Sequence, residues 1–344
     1  MSVKNYLIRS FIISKVFIIK IKSYCIFLKE CFKLKKRSKK LKKNTAVIGC
    51  GWFGRAHARN YNELSNLVAV CDENEEKARE LGNFYDVNSY ANVLDLIKNE
   101  RLEAVSVVLP PKEIPKVTNQ LAEKGIDVLL EKPLGLNLKE VKNLLKFEDS
   151  VRLTCGFIEL FNPVYNLMLN KITEIGKIIN VSSKRIGLRP KRFWNLGVLL
   201  DLGIHEIYLH QRLLGEISEV KSLISYFLDE TKKYEDAAFL LLKFQNKVNS
   251  CIEVNWLTPT KYRVMTVYGE NGVIEIDLAA QIYKFIKSSD DEIPKKIEYS
   301  TQPYIYEEPL KLELNEFLYS KKNPIPLKEG IKSLEIALKS LNLA

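Results

Sequence analysis

Short apolar runs alternate with amphipathic segments along the first part of the chain. The apolar runs cover 45–50, 66–71, 104–109 and 126–130, and helical periodicity covers 54–64, 74–82, 90–99, 113–124 and 137–147. Strands that alternate with helices at this spacing form a parallel sheet with right-handed crossovers. We therefore predict a doubly wound α/β domain over residues 44–150, with its ligand site at the carboxyl ends of the strands.

The pattern changes after about Val151, where longer strand-like runs follow one another. They cover 177–187, 219–228, 236–245, 248–257, 263–268 and 273–277, and helical patterns cover 197–213, 310–319 and 327–342. The last two runs flank the Asn271-Gly272 step, which is typical of a hairpin. We predict that residues 151–344 form an α+β domain on a large, open, mostly antiparallel sheet. The final helix is a candidate to return to the first domain.

Residues 1–43 differ from the rest of the chain in charge. They contain 14 Lys or Arg and a single acid, Glu30, whereas the remainder carries 39 basic and 41 acidic residues. A basic amphipathic helix on an anionic membrane surface is one interpretation. A disordered extension, or upstream sequence from a misassigned start, is the other, and we assign no function to this segment. Because the remaining body is close to neutral, its charge gives no support to nucleic-acid binding.

The six cysteines show no CxxC pair and no spacing typical of metal ligands. Cys50, Cys71 and Cys155 lie in or beside apolar runs, where a cysteine usually acts as a small buried hydrophobe. This usage favours a reducing, cytoplasmic setting and argues against a structural zinc site, so we predict no metal.

A glycine-rich turn separates the first apolar run from the first helical pattern. Gly49, Gly51 and Gly54 have the GxGxxG spacing, and Asp72 ends the second apolar run. Alone, this spacing also fits an ordinary tight turn. A strand before it and an acid after it favour a dinucleotide site, in which the glycines admit a pyrophosphate at a helix N-terminus and Asp72 accepts from the ribose hydroxyls.

The cofactor prediction is NAD, because no Arg or Lys directly follows Asp72 to meet a 2′-phosphate. The predicted cofactor residues share a place in the glycine-rich turn or at a strand end. They are Gly49, Gly51, Trp52, Phe53, Gly54, Asp72, Leu109, Pro110, Glu131 and Lys132.

Two further motifs carry groups that can move protons. Lys132, within Glu131-Lys132-Pro133, would place an ammonium at the sheet edge, although a solvated Lys in a turn fits as well. Asp201 and His205 are four residues apart, so they would share one face of a helix. His205 is then either a satisfied core residue or a general base oriented by Asp201.

Taken together, these motifs resemble the glucose-fructose oxidoreductase / inositol dehydrogenase / MocA family over residues 44–344. The resemblance implies an NAD(P)-binding Rossmann domain, an open-sheet substrate domain and a sugar or cyclitol substrate. It also implies that Lys132, Asp201 and His205 form the catalytic set.

The segment 156–163 and the run 196–201 are similar to those of nucleotide-sugar 3-dehydrogenases within this family, which act on UDP-N-acetylglucosamine or its uronic acid. Asn162, Arg185 and Arg192 are therefore candidates for substrate binding, although the arginines also fit a solvated basic loop. Four positions depart from the family pattern. Leu109 and Ile114 stand where relatives commonly have Thr and His, Tyr208 stands where they have an acid, and Leu160 stands where a basic residue often precedes Phe-Asn-Pro.

The leading hypothesis is an NAD-dependent dehydrogenase that oxidises C3 of a UDP-N-acetylhexosamine such as UDP-N-acetylglucosamine. A dehydrogenase of a free sugar or inositol is the alternative enzyme. A cofactor-binding sensor or scaffold without catalysis is the alternative of another class. The exposed face expected on the second sheet favours a homodimer or homotetramer.

Overall fold

The computed structural model describes residues 42–190, 196–228, 230–287, 296–301 and 307–343. Of the predicted N-terminal extension, only Lys42 and Lys43 fall within these ranges, and the interpretations of residues 1–41 lie outside them. Lys43 joins the folded body, because its Nζ lies 3.0 Å from Oδ2 of Asp127. In the described part of the chain, no helix combines the length and apolar character needed to span a membrane.

The first sheet has six parallel strands in the order β3-β2-β1-β4-β5-β6. The strands are β1 (Asn44–Ile48), β2 (Asn66–Cys71), β3 (Asn88–Tyr90), β4 (Ala104–Val107), β5 (Asp127–Glu131) and β6 (Leu153–Gly156). The central strands β1, β4 and β5 are almost wholly buried, as expected for a sheet covered on both faces. This architecture confirms the predicted doubly wound α/β fold.

Helices cover both faces of this sheet. They are α1 (Trp52–Leu64), α2 (Glu75–Tyr85), α3 (Val93–Asn99), α4 (Ile114–Ala122) and α5 (Leu138–Lys142), followed by a 3₁₀ turn at Asn143–Phe147. Asn74, Asn92 and Asn137 begin α2, α3 and α5, and each accepts a hydrogen bond from a backbone N–H of the first turn. Local side chains therefore set where these helices start.

Strand β6 lies beyond the boundary that we predicted at residue 150. Its residues pair with β5 from Val128↔Leu153 to Glu131↔Gly156, so the parallel sheet continues to Gly156. Neither this strand nor the short strand β3 was predicted from the sequence.

The second sheet has eight strands in the order β14-β13-β12-β11-β7-β10-β9-β8. They are β7 (Ile178–Leu188), β8 (Ile217–Ser225), β9 (Ala237–Phe244), β10 (Asn249–Asn255), β11 (Leu257–Gly269), β12 (Gly272–Asp277), β13 (Ile282–Lys287) and β14 (Lys296–Thr301). All pairs are antiparallel except β7 with β10. The predicted hairpin joins β11 to β12, with Tyr268 opposite Val273. The predicted open, mostly antiparallel sheet is confirmed, although β13 and β14 were not predicted.

Helices cover the inner face of the second sheet. α6 (Pro163–Lys171), which was not predicted, follows the 3₁₀ turn Ile158–Phe161 and precedes the 3₁₀ turn Ile172–Ile175. The predicted helix over 197–213 consists of a π-helical turn, Leu199–Gly203, followed by α7 (Ile204–Leu214). The chain therefore changes its winding just before the catalytic candidate His205.

The two C-terminal helices, α8 (Pro309–Tyr319) and α9 (Leu327–Ser340), contact the first domain. Tyr319 in α8 donates a hydrogen bond to the carbonyl of Leu64 at the end of α1. Before α9, Pro326 forms a β-bridge with Thr154 of β6. Through these contacts the C-terminal helices pack against the first domain.

Candidate active site

A cavity of about 1640 Å³ opens at the carboxyl edge of the parallel sheet and extends to the second sheet. A typical small-molecule site occupies roughly 300–1,000 Å³, so this cavity has room for more than one ligand. All ten predicted cofactor residues line it: Gly49, Gly51, Trp52, Phe53, Gly54, Asp72, Leu109, Pro110, Glu131 and Lys132. The candidate catalytic residues Asp201 and His205 also line it, together with Asn162.

The glycine-rich turn has the shape that a pyrophosphate requires. Gly49 has φ +99°, and a Cβ there would lie 2.0 Å from the carbonyl oxygen of Val108. A Cβ at Gly54 would lie 1.7 Å from the carbonyl oxygen of Gly49. Gly51 begins α1 without any side-chain cap, which leaves the N–H groups of the first turn directed at the cavity edge. A dinucleotide therefore fits this turn, with its phosphates at the helix N-terminus.

Asp72 lies at the end of β2 beside the glycine-rich turn. Its Oδ2 accepts a hydrogen bond from the N–H of Cys50 at 2.7 Å, and its Oδ1 accepts one from the N–H of Asn74 at 2.9 Å. These bonds hold the carboxylate at the cavity, where ribose hydroxyls can donate to it. Arg55 and Lys77 line the same part of the cavity, and the sequence spacing alone did not show that these cations lie near Asp72.

Lys132 and Asp201 form an ion pair between the two domains. Lys132 Nζ donates to Oδ1 of Asp201 at 3.0 Å and to the Asp201 carbonyl at 2.8 Å. Both side chains are partly exposed to the cavity. This geometry corrects our prediction that Asp201 orients His205, because the carboxylate bonds to Lys132 and the π-helical turn changes the i, i+4 relation of an α-helix.

His205 lies in the first turn of α7, just after the π-helical turn, and is 6% exposed. Its Nδ1 is buried and has no hydrogen-bond partner within the described residues. Burial lowers the pKa of the His205 imidazole well below its ordinary value, and nearby cations lower it further. These cations are Lys132, Arg185 and Arg263. His205 is therefore neutral near pH 7 and can accept a proton.

Arg185 does not face the cavity, so its predicted role in substrate binding is wrong. The side chain is 1% exposed, its Nε lies 2.6 Å from Glu206, and its Nη1 lies 3.0 Å from Glu159. This guanidinium is held in the interior by two carboxylates and does not line the cavity. The other arginine candidate, Arg192, lies outside the described residues.

Asn162 lines the cavity, but its amide is engaged by the protein. Its Nδ2 donates to Glu159 Oε2 at 3.1 Å and to the Leu278 carbonyl at 2.8 Å, and its Oδ1 accepts from Val164 at the start of α6. Asn162 thereby holds Glu159 and the loop after β12 in place at the cavity wall.

Three cavity residues of the substrate side were missed in the sequence. Glu159 is buried and shared between Arg185 and Arg263, whose Nη1 lies 2.8 Å from its Oε1. Burial raises the pKa of Glu159, but the two guanidinium groups outweigh burial and hold the pKa below its ordinary value. Lys261 precedes Arg263 on β11 and also lines the cavity. Glu159 lies within the segment 156–163 that we singled out, whereas nothing in the sequence marked Lys261 or Arg263.

Glu131 connects the sheet edge to a buried polar cluster in the first domain. Its Oε1 lies 3.2 Å from Nε2 of His57, whose Nδ1 lies 3.0 Å from Oγ of Ser106. Tyr61 in turn lies 2.7 Å from the Ser106 hydroxyl. Glu131 Oε2 accepts from the N–H of Lys132, so the cluster fixes the backbone at the base of the candidate catalytic residue Lys132.

Comparison with known proteins gives a family for this site. Residues 43–157 match the model of an oxidoreductase family with an NAD-binding Rossmann fold, and residues 172–275 match that of the GFO/IDH/MocA C-terminal domain. Together they cover more than half of the chain. The chain belongs to the GFO/IDH/MocA family. It is therefore an NAD-binding oxidoreductase, and the predictions of the family and of an enzyme are confirmed.

Individual members of the family show how far the similarity extends. The UDP-N-acetylglucosamine 3-dehydrogenase of Acidithiobacillus ferrooxidans is 30% identical over 173 residues, which is 50% of this chain and 54% of that protein. The scyllo-inositol 2-dehydrogenase (NAD(+)) of Bacillus subtilis is 26% identical over 249 residues, 67% of this chain and 72% of that protein. The solved structure of UDP-N-acetylglucosamine 3-dehydrogenase GnnA from A. ferrooxidans has a TM-score of 0.79 at 22% identity and covers 88% of this chain and 98% of that one. This structural similarity shows that the two proteins share a fold.

Ile114 and Tyr208 are two of the departures from the GFO/IDH/MocA pattern. Ile114 is fully buried at the start of α4. The ring of Tyr208 stacks on Phe157 at 4.3 Å, and its hydroxyl donates to Glu329 of α9. Both side chains pack in the protein interior.

Within the described residues, no cluster of three or more His, Cys, Asp or Glu side chains could hold a metal ion.

Proposed function

We propose that this protein is an NAD-dependent dehydrogenase that oxidises a secondary hydroxyl of a sugar. The observation that carries the proposal is that Lys132, Asp201 and His205 line the same cavity as the glycine-rich turn. A neutral base and an ammonium at the carboxyl edge of a dinucleotide-binding sheet are what oxidation of a CH–OH group requires.

In this proposal each catalytic residue has its own task. His205 accepts the hydroxyl proton, for which its lowered pKa keeps it unprotonated near pH 7. Lys132 donates a hydrogen bond to the oxygen as negative charge develops there, and Asp201 holds the lysine side chain in position. A nicotinamide bound at the sheet edge supplies the two-electron acceptor.

We propose that the substrate is a UDP-N-acetylhexosamine oxidised at C3, with UDP-N-acetylglucosamine as the first candidate. The relative from A. ferrooxidans that is 30% identical is named a dehydrogenase of that nucleotide sugar. The cavity also has room for a large substrate beside the cofactor. The alternative is a free sugar or inositol, which the similarity to scyllo-inositol 2-dehydrogenase supports.

We propose NAD as the working cofactor. The carboxylate of Asp72 suits two ribose hydroxyls and repels a 2′-phosphate, whereas Arg55 and Lys77 nearby would attract one. Titrating the protein with NADH and with NADPH, and following cofactor fluorescence, decides between these opposing charges. Tighter binding of NADPH would overturn the choice of NAD.

We also propose that the protein is a homo-oligomer assembled through the outer face of the second sheet. Leu223, Phe239 and Leu241 lie side by side on β8 and β9 and are 75%, 52% and 62% exposed. Contiguous apolar side chains on an exposed sheet face are typical of a subunit interface.

The test of the activity is NADH formation at 340 nm with NAD and a panel of UDP-sugars, free sugars and inositols, with and without a 2-oxo acid to reoxidise bound NADH. We expect signal with UDP-N-acetylglucosamine. Lys132→Ala should lower kcat on the order of a hundredfold or more, because it removes the charge beside the developing alkoxide. Lys124→Ala, an exposed lysine after α4, is the matched control and should leave the rate unchanged.

Each outcome of this panel has a defined meaning. Signal with free polyols alone moves the substrate to the inositol class. Equal rates for Lys132→Ala and the wild type would contradict the proposed role of Lys132. Absence of turnover with every substrate, while NAD still binds, would contradict the proposed reaction.

A further inference from the structure

Two cations of the second sheet face the cavity beside the catalytic residues. Lys261 and Arg263 lie two residues apart on β11, so they point to the same face of the sheet, and both line the cavity. Arg263 is close enough to His205 to lower its pKa and also interacts with Asp201. A substrate that presents a hydroxyl to His205 can therefore reach these two side chains within the same cavity.

The charges around Arg263 are balanced without Lys261. Arg263 lies opposite Arg185 in the register of β11 with β7, and these two guanidinium groups are neutralised by Glu159 and Glu206. Of the guanidinium nitrogens of Arg263, only Nη1 has a hydrogen-bond partner within the described part of the chain. Its remaining N–H groups are free to bind a ligand.

Lys261 adds a positive charge that no described carboxylate pairs with. Its ammonium forms no ion pair within the described residues, and its side chain is exposed. The charge of Arg263, followed by burial, lowers the pKa of Lys261 below its ordinary value. Because Glu159 already pairs with Arg263, the additional positive charge of Lys261 favours the arrival of a further anion.

The backbone at Lys261 is also irregular. The pairing of β11 with β7 shifts between Leu257 and Tyr262, so the strand bulges immediately before and at Lys261. On the opposite strand stands Gly187, where an added Cβ would meet only the Cα of Lys261, at 3.9 Å. Bulges beside active sites commonly redirect a side chain, and the missing side chain at Gly187 leaves open space next to the lysine.

We propose that Lys261 and Arg263 form an anion-binding subsite that recognises a phosphate or carboxylate group of the substrate. The subsite replaces Arg185, whose charge is already neutralised, as the place where substrate charge is recognised. This proposal rests on the proposed function, because it takes the bound anion to be part of the substrate. Binding of an anion can nevertheless be measured without turnover.

The experiment is calorimetric titration of the full chain saturated with NADH, so that the dinucleotide site is filled. The probes are UDP with uridine as its neutral counterpart, and glucuronate with glucose as its neutral counterpart. We expect one of the two anions to bind at least tenfold more tightly than its neutral counterpart, with affinity falling as salt rises. Binding of UDP identifies phosphate as the group, and binding of glucuronate identifies carboxylate.

Variants locate the subsite. Lys261→Ala should weaken binding of that anion about 10- to 100-fold, as expected for loss of a charge-assisted hydrogen bond. Lys261→Arg should restore most of the affinity. Lys184→Ala is the matched control, because Lys184 lies on neighbouring β7 with its side chain on the outer face, paired with Glu253. Its affinity should equal that of the wild type.

The proposal is overturned if neither anion binds more tightly than its neutral counterpart, or if Lys261→Ala binds the anion as tightly as the wild type does. Failure of the proposed function looks different. In that case the wild type shows no turnover with any sugar, while the anion still binds and still depends on Lys261.

Discussion

At the scale of single residues, the environment of His205 explains how an imidazole can act as a base in this cavity. The ring is almost completely buried, and all the charged groups that shift its pKa are cations. Burial and positive charge both disfavour the imidazolium form, so their effects add. At neutral pH the imidazole is therefore unprotonated and can accept a proton from a bound substrate.

This arrangement predicts the pH dependence of the reaction. Because kcat/KM reports groups of the free enzyme, its acid limb should reflect His205 and should fall well below pH 6.5. We expect a flat profile from pH 6.5 to 8, measured as initial rates of NADH formation. An acid limb centred at or above pH 6.5 would show that His205 is not the base or that its charged neighbours do not act as described.

The structure brings together, on one cavity, the residues that their types and spacing predicted for the cofactor side. Gly49, Gly51, Gly54 and Asp72 are joined by one strand-turn-helix-strand unit, so local sequence determines their geometry. The substrate side depends on pairing of charges across the fold. Arg185 is 26 residues from Glu159, and Arg263 is 104 residues from it, distances over which no periodicity links them.

At the scale of elements, the π-helical turn Leu199–Gly203 positions Asp201 against Lys132. Glu235 holds the start of this turn, since its Oε1 accepts from the N–H of Leu199 at 2.8 Å and its carbonyl accepts from Val198. Burial raises the pKa of Glu235 above its ordinary value, although the bond from Leu199 opposes this effect. Helical periodicity predicted one continuous helix here because a π turn differs from an α turn by a single residue.

The packing of Glu235 against Gly197 predicts the effect of a small substitution. A Cβ at Gly197 would lie 1.7 Å from Oε2 of Glu235, and the carboxylate cannot withdraw without losing its bond to Leu199. Gly197→Ala should therefore lower the free energy of unfolding by about 1–3 kcal/mol and reduce kcat by displacing Asp201. Urea denaturation and NADH formation measure the two effects.

Gly187→Ala is the matched control for this prediction. Gly187 also lies in the second domain, but a Cβ there meets only one atom, at 3.9 Å. Its stability should stay within about 0.5 kcal/mol of the wild type. If both alanine variants behave alike, close packing against Glu235 is not what positions the turn.

At the scale of the whole molecule, α8 brings a buried carboxyl group against the parallel sheet. Glu313 is completely buried, and neither of its oxygens has a hydrogen-bond partner within the described residues. Burial, followed by the Glu131 carboxylate, raises the pKa of Glu313 well above its ordinary value. The group is protonated in the folded protein at a pH where it is ionised in the unfolded chain.

Folding therefore becomes less favourable as the pH rises from about 4.5 toward the pKa of folded Glu313, because unfolding releases a proton in that range. Glu313→Gln removes this pH-dependent contribution to the free energy of unfolding. Its stability relative to the wild type should increase with pH by up to about 1.4 kcal/mol for each pH unit in that range. Urea unfolding at pH 5 and pH 8 measures the difference, and an equal difference at both pH values would contradict the prediction.

The proposed oligomer depends on the outer face of the second sheet. Leu241→Asp places a charge among the exposed apolar side chains of this face, so it should convert the oligomer to monomers, measured by size-exclusion chromatography with light scattering. Phe84→Asp, at an equally exposed aromatic residue on α2, should leave the mass unchanged. A wild type that is already monomeric, or a Leu241→Asp variant with the wild-type mass, would exclude this face as the interface.

The sequence by itself determined the parts of this protein whose geometry is local. Alternating strand and helix patterns predicted the parallel sheet, and the Asn271-Gly272 step predicted the β11–β12 hairpin, because each depends on neighbouring residues. Which charges remain available depends on the tertiary structure. Arg185 pairs with Glu159 and Glu206, Asp201 pairs with Lys132, and Lys261 lines the cavity without an ion-pair partner among the described residues. The physical reason is that the role of a charged side chain depends on the groups packed against it, and those groups come from distant segments of the chain.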